Sequence, residues 1–113
     1  MPRRQHKYRA QPTKVDGIRF DSKAEARRYG ELKMLQQANE IADLEIQPKF
    51  SIDVNGKHIC DYIADFRYRN VRYDQGVVVE DVKSEPVRKN RAYRLKVKLM
   101  AAVHGISITE VPA

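Results

Sequence analysis

From Ile41 onward, apolar side chains recur with a period of two: Leu44, Ile46, Phe50, Ile52 and Val54 lead into Asn55-Gly56, a pair suited to a tight turn at positive φ. The pattern predicts a strand, a turn and a returning strand over His58 to Tyr68. Alternation along that second strand puts Asp61, Ile63, Asp65 and Arg67 on one face and Tyr62, Ala64, Phe66 and Tyr68 on the other. A third strand, Gly76 to Lys83, carries the run Val77-Val78-Val79 and suits a central strand covered on both faces. Two helices complete the pattern. Ser22-Lys23-Ala24-Glu25 forms a capping box that opens the first and carries it to about Ala38, with Glu25, Tyr29, Leu32 and Gln36 on one face and Leu35 on its flank. The second spans about Lys89 to His104, with Ala92, Leu95, Leu99, Ala102 and Val103 as its apolar face and Gly105 as its C-terminal cap. Val15, Ile18 and Phe20 around Asp16-Gly17 predict a short hairpin before the first helix, and Ile106, Ile108 and Val111 a short closing strand. The order helix, three strands, helix, strand places the chain in the α/β class.

Composition then narrows the partner. At 113 residues the chain fits one domain, and 42% hydrophobic with 33% charged residues fits a folded protein with a heavily charged surface. The excess of 22 basic over 15 acidic residues gives +7, which favours a polyanion; nucleic acid comes first and an anionic membrane second. Residues 1–14 hold Arg3, Arg4, Lys7, Arg9 and Lys14 with no acid, together with Pro2 and Pro12, and read as a flexible basic arm ahead of a single domain over residues 15–113. Cys60 is the only cysteine, so no internal disulfide forms and a cytoplasmic setting is the simplest expectation. The N-terminal segment lacks the apolar run of a secretion signal, and no stretch has the length of a membrane span, so a soluble protein is expected.

The sharpest chemical feature is Asp81-Val82-Lys83 at the end of the valine-rich strand. Side chains two apart on a strand point the same way at about 7 Å, so Asp81 and Lys83 project together while Glu80 faces the opposite side and becomes the alternative acid if the register shifts by one. If the second and third strands pair, Asp65 approaches Asp81, and two carboxylates so close raise one another's proton affinity unless a cation sits between them. Mg²⁺ fits, because it is held by one or two carboxylates plus phosphate oxygens and waters. The ion activates water and offsets charge on a phosphate, and Lys83 orients that water or balances the charge. An ordinary surface ion pair at a strand end is the plain alternative for Asp81 and Lys83, and capping alone accounts for Glu25. Gln47 before Pro48 is within reach of a phosphate or is a simple strand-end amide. His6, His58 and His104 lack metal-ligand spacing with Cys60, which argues against a zinc site.

Asp65 followed by Asp81-x-Lys83, with an acid on the first helix, resembles the PD-(D/E)XK nuclease superfamily. The segments FDSKAEARRYGELKML, LEIQPKF, YIADF and VVVEDVK, with a closing basic helix, look most similar to small phage-encoded endonucleases over about Val15 to Val111. The proline that often precedes the family's first aspartate is replaced by Ala64. The resemblance implies a restriction-endonuclease-like α-β-β-β-α-β core, a mixed central sheet flanked by two helices. It also implies Asp65, Asp81 and Glu25 as metal ligands, Lys83 as the catalytic lysine, and Mg²⁺, for which Mn²⁺ substitutes. The activity implied is endodeoxyribonuclease cleavage of branched or structured DNA in phage recombination, repair or processing.

DNA contacts are expected from the helix face made by Arg91, Arg94 and Lys98 together with Arg88 and Lys89, and from Arg3, Arg4, Lys7 and Arg9 on the arm, with Lys96 nearer the active site. Cutting two strands calls for two sites and one small domain offers one, so a homodimer is expected. A nucleic-acid-binding protein without turnover, or a small subunit that meets an acidic protein partner, fits the same charge.

Overall fold

The computed structural model of the protein describes residues 11–72 and 76–113. The chain opens with strands β1 (Thr13–Val15) and β2 (Ile18–Phe20). Asp16 and Gly17 both take positive φ, so Val15 pairs with Ile18 and the ladder reaches back to Thr13. Thr13 and Lys14, assigned to the arm on sequence, therefore belong to the folded part; the arm's Arg3, Arg4, Lys7 and Arg9 lie outside the described residues. Helix α1 (Lys23–Gln37) follows, with Ser22 as its N-cap and Ala38 as its C-cap. Its buried stripe is Ala26, Tyr29 and Leu32; Gln36 stays exposed and its side chain accepts the amide of Leu44 at 2.9 Å.

The two strands expected over Ile41–Val54 and His58–Tyr68 are each broken once. They form β3 (Ile41–Ile46), β4 (Lys49–Val54), β5 (Lys57–Ile63) and β6 (Phe66–Asn70). Gln47 adopts a left-handed conformation and Pro48 has no amide to donate, which bends the first strand. The bend is matched across the hairpin, where Gln47 donates to the carbonyl of Asp65 at 2.8 Å and Ala64 to that of Pro48 at 3.1 Å. The result is one long antiparallel hairpin folded at its middle, closed at its tip by Asn55-Gly56 with Val54 opposite Lys57. Its β3–β6 half joins β7 (Val77–Lys83) and β8 (Thr109–Pro112) in a four-stranded sheet of order β3-β6-β7-β8, antiparallel except for the parallel β7–β8 pair.

This is an α/β protein with a mixed sheet. On one sheet face, α1 covers Ile41, Phe66, Tyr68 and Val82 together with Phe20. On the other, Val79 packs with Phe50, Ile52, Tyr62 and Ala64 of the β4–β5 half and with Met100. Sealed side chains such as Phe20, Leu32 and Phe66 each contribute on the order of 1.5–3 kcal/mol to this packing. Val77, expected inside, is 64% exposed because it lies where β7 enters the sheet, ahead of the two cores.

The second helix is subdivided into α2 (Glu85–Arg88), α3 (Arg91–Leu99, N-capped by Asn90) and a π-helical turn over Met100–His104. Gly105 ends it at φ 67, a left-handed cap, with Ile106 and Gly105 donating back to Met100 and Ala101. The face this element buries differs from the expected one. Met100 is sealed, with Tyr93 and Leu99 packed partly against the same core, whereas Ala92 and Ala102 are exposed and Leu95 is 58% exposed. The tyrosine ring and the lengthened last turn seat the helix on the Met100 side, and the more regular aliphatic stripe is left outside. The closing strand begins at Thr109, later than expected, since Ile106 and Ile108 pack into the Met100 core before the chain reaches β7. Among the described residues no helix is long and apolar enough to cross a membrane.

Candidate active site

The site arises where β7 outruns its neighbour. Strand β6 starts at Phe66 opposite Glu80, so Asp81, Val82 and Lys83 have β8 on one edge and no strand on the other. Asp65, at the fold of the long hairpin, fills that gap. Its backbone amide points between the carbonyl of Glu80 and Oδ1 of Asp81, both at 3.1 Å, and its Oδ2 accepts the Val82 amide at 2.7 Å. A carboxylate thus takes the place of a strand partner, which satisfies an edge amide that would otherwise lack a protein acceptor.

Asp81 lies beneath, 1% exposed, with the Tyr62 hydroxyl donating to its Oδ2. Burial pushes its carboxyl up to about 6, against the opposing pull of Lys83 and the Asp65 amide. Asp65 is likewise raised above the ordinary range, chiefly by burial, with the Val82 amide and Lys83 acting against the shift. Glu25 arrives from the first turn of α1. Ser22 Oγ accepts the Glu25 amide at 3.1 Å and donates to Glu25 Oε2 at 3.3 Å, so the capping role is real. The same carboxyl also meets that of Asp65. Burial, the Asp65 charge and then the Asp21 charge lift it to about 7. Capping and membership of the acidic group coexist.

Glu25, Asp65 and Lys83 line one cleft of about 450 Å³, together with Arg19, Asp21 and Gln47. Gln47 is held there by a 3.1 Å bond from its Nε2 to the Arg19 carbonyl. Asp81 does not line that cleft; it borders a neighbouring one, of about 350 Å³, which shares Lys83 with the first. Glu80 faces α1, where Arg28 donates to both its oxygens at 2.9 and 2.7 Å and Tyr68 donates as well, so it serves the interior. The strand register inferred from alternation is therefore the observed one. Tyr62, assigned to the core, is in the core and also holds Asp81; no sequence signal distinguishes that second task. Asp21 and Arg19 sit ahead of the capping box, where no sequence pattern marks them as part of the cleft.

The expected DNA-contact residues are not equivalent. Lys89 and Arg88 pair with Glu85 at 3.0 and 3.9 Å, and Arg94 with Glu110 at 3.4 Å. Arg91 and Lys98 are exposed and form no ion pair among the described residues. Lys96 borders the second cleft beside Lys83.

Among the described residues, no three His, Cys, Asp or Glu side chains are already grouped around a metal position. Mg²⁺ does not require such a group, since two carboxylates with phosphate and water suffice. Glu25 and Asp65, each with proton affinity raised chiefly by burial and with Lys83 beside them, form an all-oxygen donor pair that suits a hard divalent cation.

These features define an α/β protein with a mixed sheet and a carboxylate-lysine cleft at one strand end. The chain belongs to the family described as "Protein of unknown function (DUF1064)", whose profile matches residues 5–106. No curated protein sequence and no solved structure gives a match.

Proposed function

We propose that the protein is a Mg²⁺-dependent endodeoxyribonuclease with a restriction-endonuclease-like core, acting on branched or structured DNA as a homodimer. The observation that carries the proposal is the meeting of Glu25, Asp65 and Lys83 in one cleft at the unpaired edge of β7, with Asp81 holding Asp65 from below. The element order α1, folded hairpin, β7, α3, β8 supports the core assignment, and the basic excess supports DNA.

Glu25 and Asp65 would hold the metal, with Asp81 behind them. When bound, the ion supplies an activated water and offsets charge on the phosphate. Burial and the Asp65 charge raise the proton affinity of Glu25, so a metal there would compete with a proton. Lys83, bordering both clefts, offsets negative charge as it grows on the phosphate. The Val82 amide fixes one Asp65 oxygen and thereby its orientation.

One observation favours the rival, DNA binding without turnover: both Asp81 oxygens already accept protein donors. The two are separated by incubating purified protein with linear, nicked, flapped and four-way DNA in Mg²⁺ and in chelator. Cutting that needs the metal and is abolished in Asp81→Asn, with DNA binding kept, is expected; metal-independent or unchanged cutting rejects the proposal.

A further inference from the structure

Across Lys83 from the acidic cleft lies the second one, of about 350 Å³, whose walls beyond Lys83 and Asp81 take no part in the proposed chemistry. Its lining combines Ile63, Ala92 and the Tyr93 ring with the ammonium groups of Lys83 and Lys96, the carboxylate of Asp61 and, at its buried floor, Asp81. Ile63 is 60% exposed at the end of its strand, and Ala92 is exposed on α3, so apolar surface faces water directly beside two cations. Lys83 Nζ stands 5.5 Å from the centre of the Tyr93 ring. The same lysine therefore touches the acidic cleft on one side and an aromatic surface on the other.

We infer that this second cleft receives the base of a nucleotide adjacent to the cut phosphodiester, and receives it only when that base is unpaired. The inference rests on the nuclease reading and deepens it, because it gives the proposed preference for branched or structured DNA a physical basis. A nucleobase presents a π face that stacks on an aromatic ring whatever its sequence, and its sugar-phosphate carries the charge that lysines attract. Asp61 adds an acceptor for an exocyclic amino group. A base held in a duplex must first leave its stack and its partner, whereas a base at a flap or junction has already done so. An apolar side chain from a protein partner would suit Ile63, Ala92 and Tyr93, but it would bring no anion to Lys96, which has no ion pair among the described residues. A nucleotide offers both a flat apolar face and an anion.

The test uses full-length protein and a flap DNA carrying a fluorescent adenine analogue at the unpaired nucleotide next to the junction, with a fully paired duplex carrying the same analogue as the reference. With Ca²⁺ in place of Mg²⁺, binding of the flap should change the analogue's emission and binding of the duplex should not. Ala92→Trp fills the cleft from an exposed position and should abolish that change. In Mg²⁺ it should lower the ratio of flap to duplex cutting about tenfold, the scale of one lost base stack. Tyr93→Leu should act in the same direction, with a melting curve to confirm folding. Cutting by wild type with an unchanged ratio and unchanged emission in Ala92→Trp overturns the cleft assignment and leaves the nuclease reading intact. An emission change without cutting keeps the base site and overturns the nuclease reading. Neither cutting nor an emission change overturns both.

Discussion

The backbone amide of Asp65 donates to Oδ1 of Asp81 at 3.1 Å, so the two aspartates are fixed to each other through main chain and side chain rather than only placed nearby. Asp81 is thereby a support for Asp65 as well as a carboxylate in its own right. Replacing either with Asn keeps an acceptor oxygen for the amide it serves and should keep the fold. Cleavage in Mg²⁺ should fall by at least about ten- to a hundredfold in each, the range found for groups that only orient metal ligands. Initial rates on a labelled flap, together with melting curves, check both halves of the expectation.

Tyr62→Phe removes the hydroxyl that donates to Asp81 Oδ2 and leaves a buried acceptor without it. Stability should drop by about 1–3 kcal/mol. Urea unfolding of the variant and wild type measures the loss.

Acidity should act on stability with a definite sign. Glu25 is held up to about 7 and Asp81 up to about 6, so the folded state binds these protons more tightly than the unfolded chain does. Their contribution is fully present below the ordinary carboxylate range and disappears as pH rises through about 6 to 7. Glu25→Gln should flatten that decline relative to wild type. Ca²⁺ should raise the melting temperature of wild type more at about pH 8 than at about pH 5.5, because at the lower pH it competes with bound protons. Scanning fluorimetry across pH with and without the ion shows the effect, and an equal shift at both ends argues against carboxylates as ligands.

Glu80 is 1% exposed and bound by Arg28 through both oxygens. Arg28→Met strands that charge in the interior and should cost about 3–5 kcal/mol of stability. Glu80→Gln should unfold more readily than wild type yet still cut DNA, whereas loss of cutting in a folded Glu80→Gln protein would move the acidic role from Asp81 to its neighbour.

Arg91 and Lys98 are exposed without an ion pair among the described residues, unlike Arg94, which Glu110 engages. Arg91→Ala and Lys98→Ala should each weaken DNA binding and reduce the slope of log affinity against log salt by about one, with Arg94→Ala having the smaller effect. Fluorescence anisotropy over a salt series distinguishes the three.

Local signals carried much of the fold. The Asp16-Gly17 and Asn55-Gly56 pairs set their hairpins because positive φ at both turn positions fixes the ladder on either side. The capping box set the start of α1, and Gly105 the end of the π-helical turn. Alternation also gave the faces of Tyr62, Ala64, Phe66 and Tyr68, all of which are buried. It could not show that the first two enter one core and the last two another, since a bend between them leaves the period unchanged. The same limit applies to α3, where two faces were apolar enough to pack and the contacts of Tyr93 and Met100 decided between them.

For the candidate site, residue type and spacing along the chain were enough to nominate Asp65, Asp81 and Lys83 and to send Glu80 to the opposite face, because a strand's period of two is a local property. The depth of Asp81 under Tyr62, the contact of Glu25 with Asp65 and the second cleft beyond Lys83 came only from tertiary structure. Each depends on where β6 stops relative to β7 and on which side of α3 faces inward, and those choices are made by packing between segments far apart in the chain.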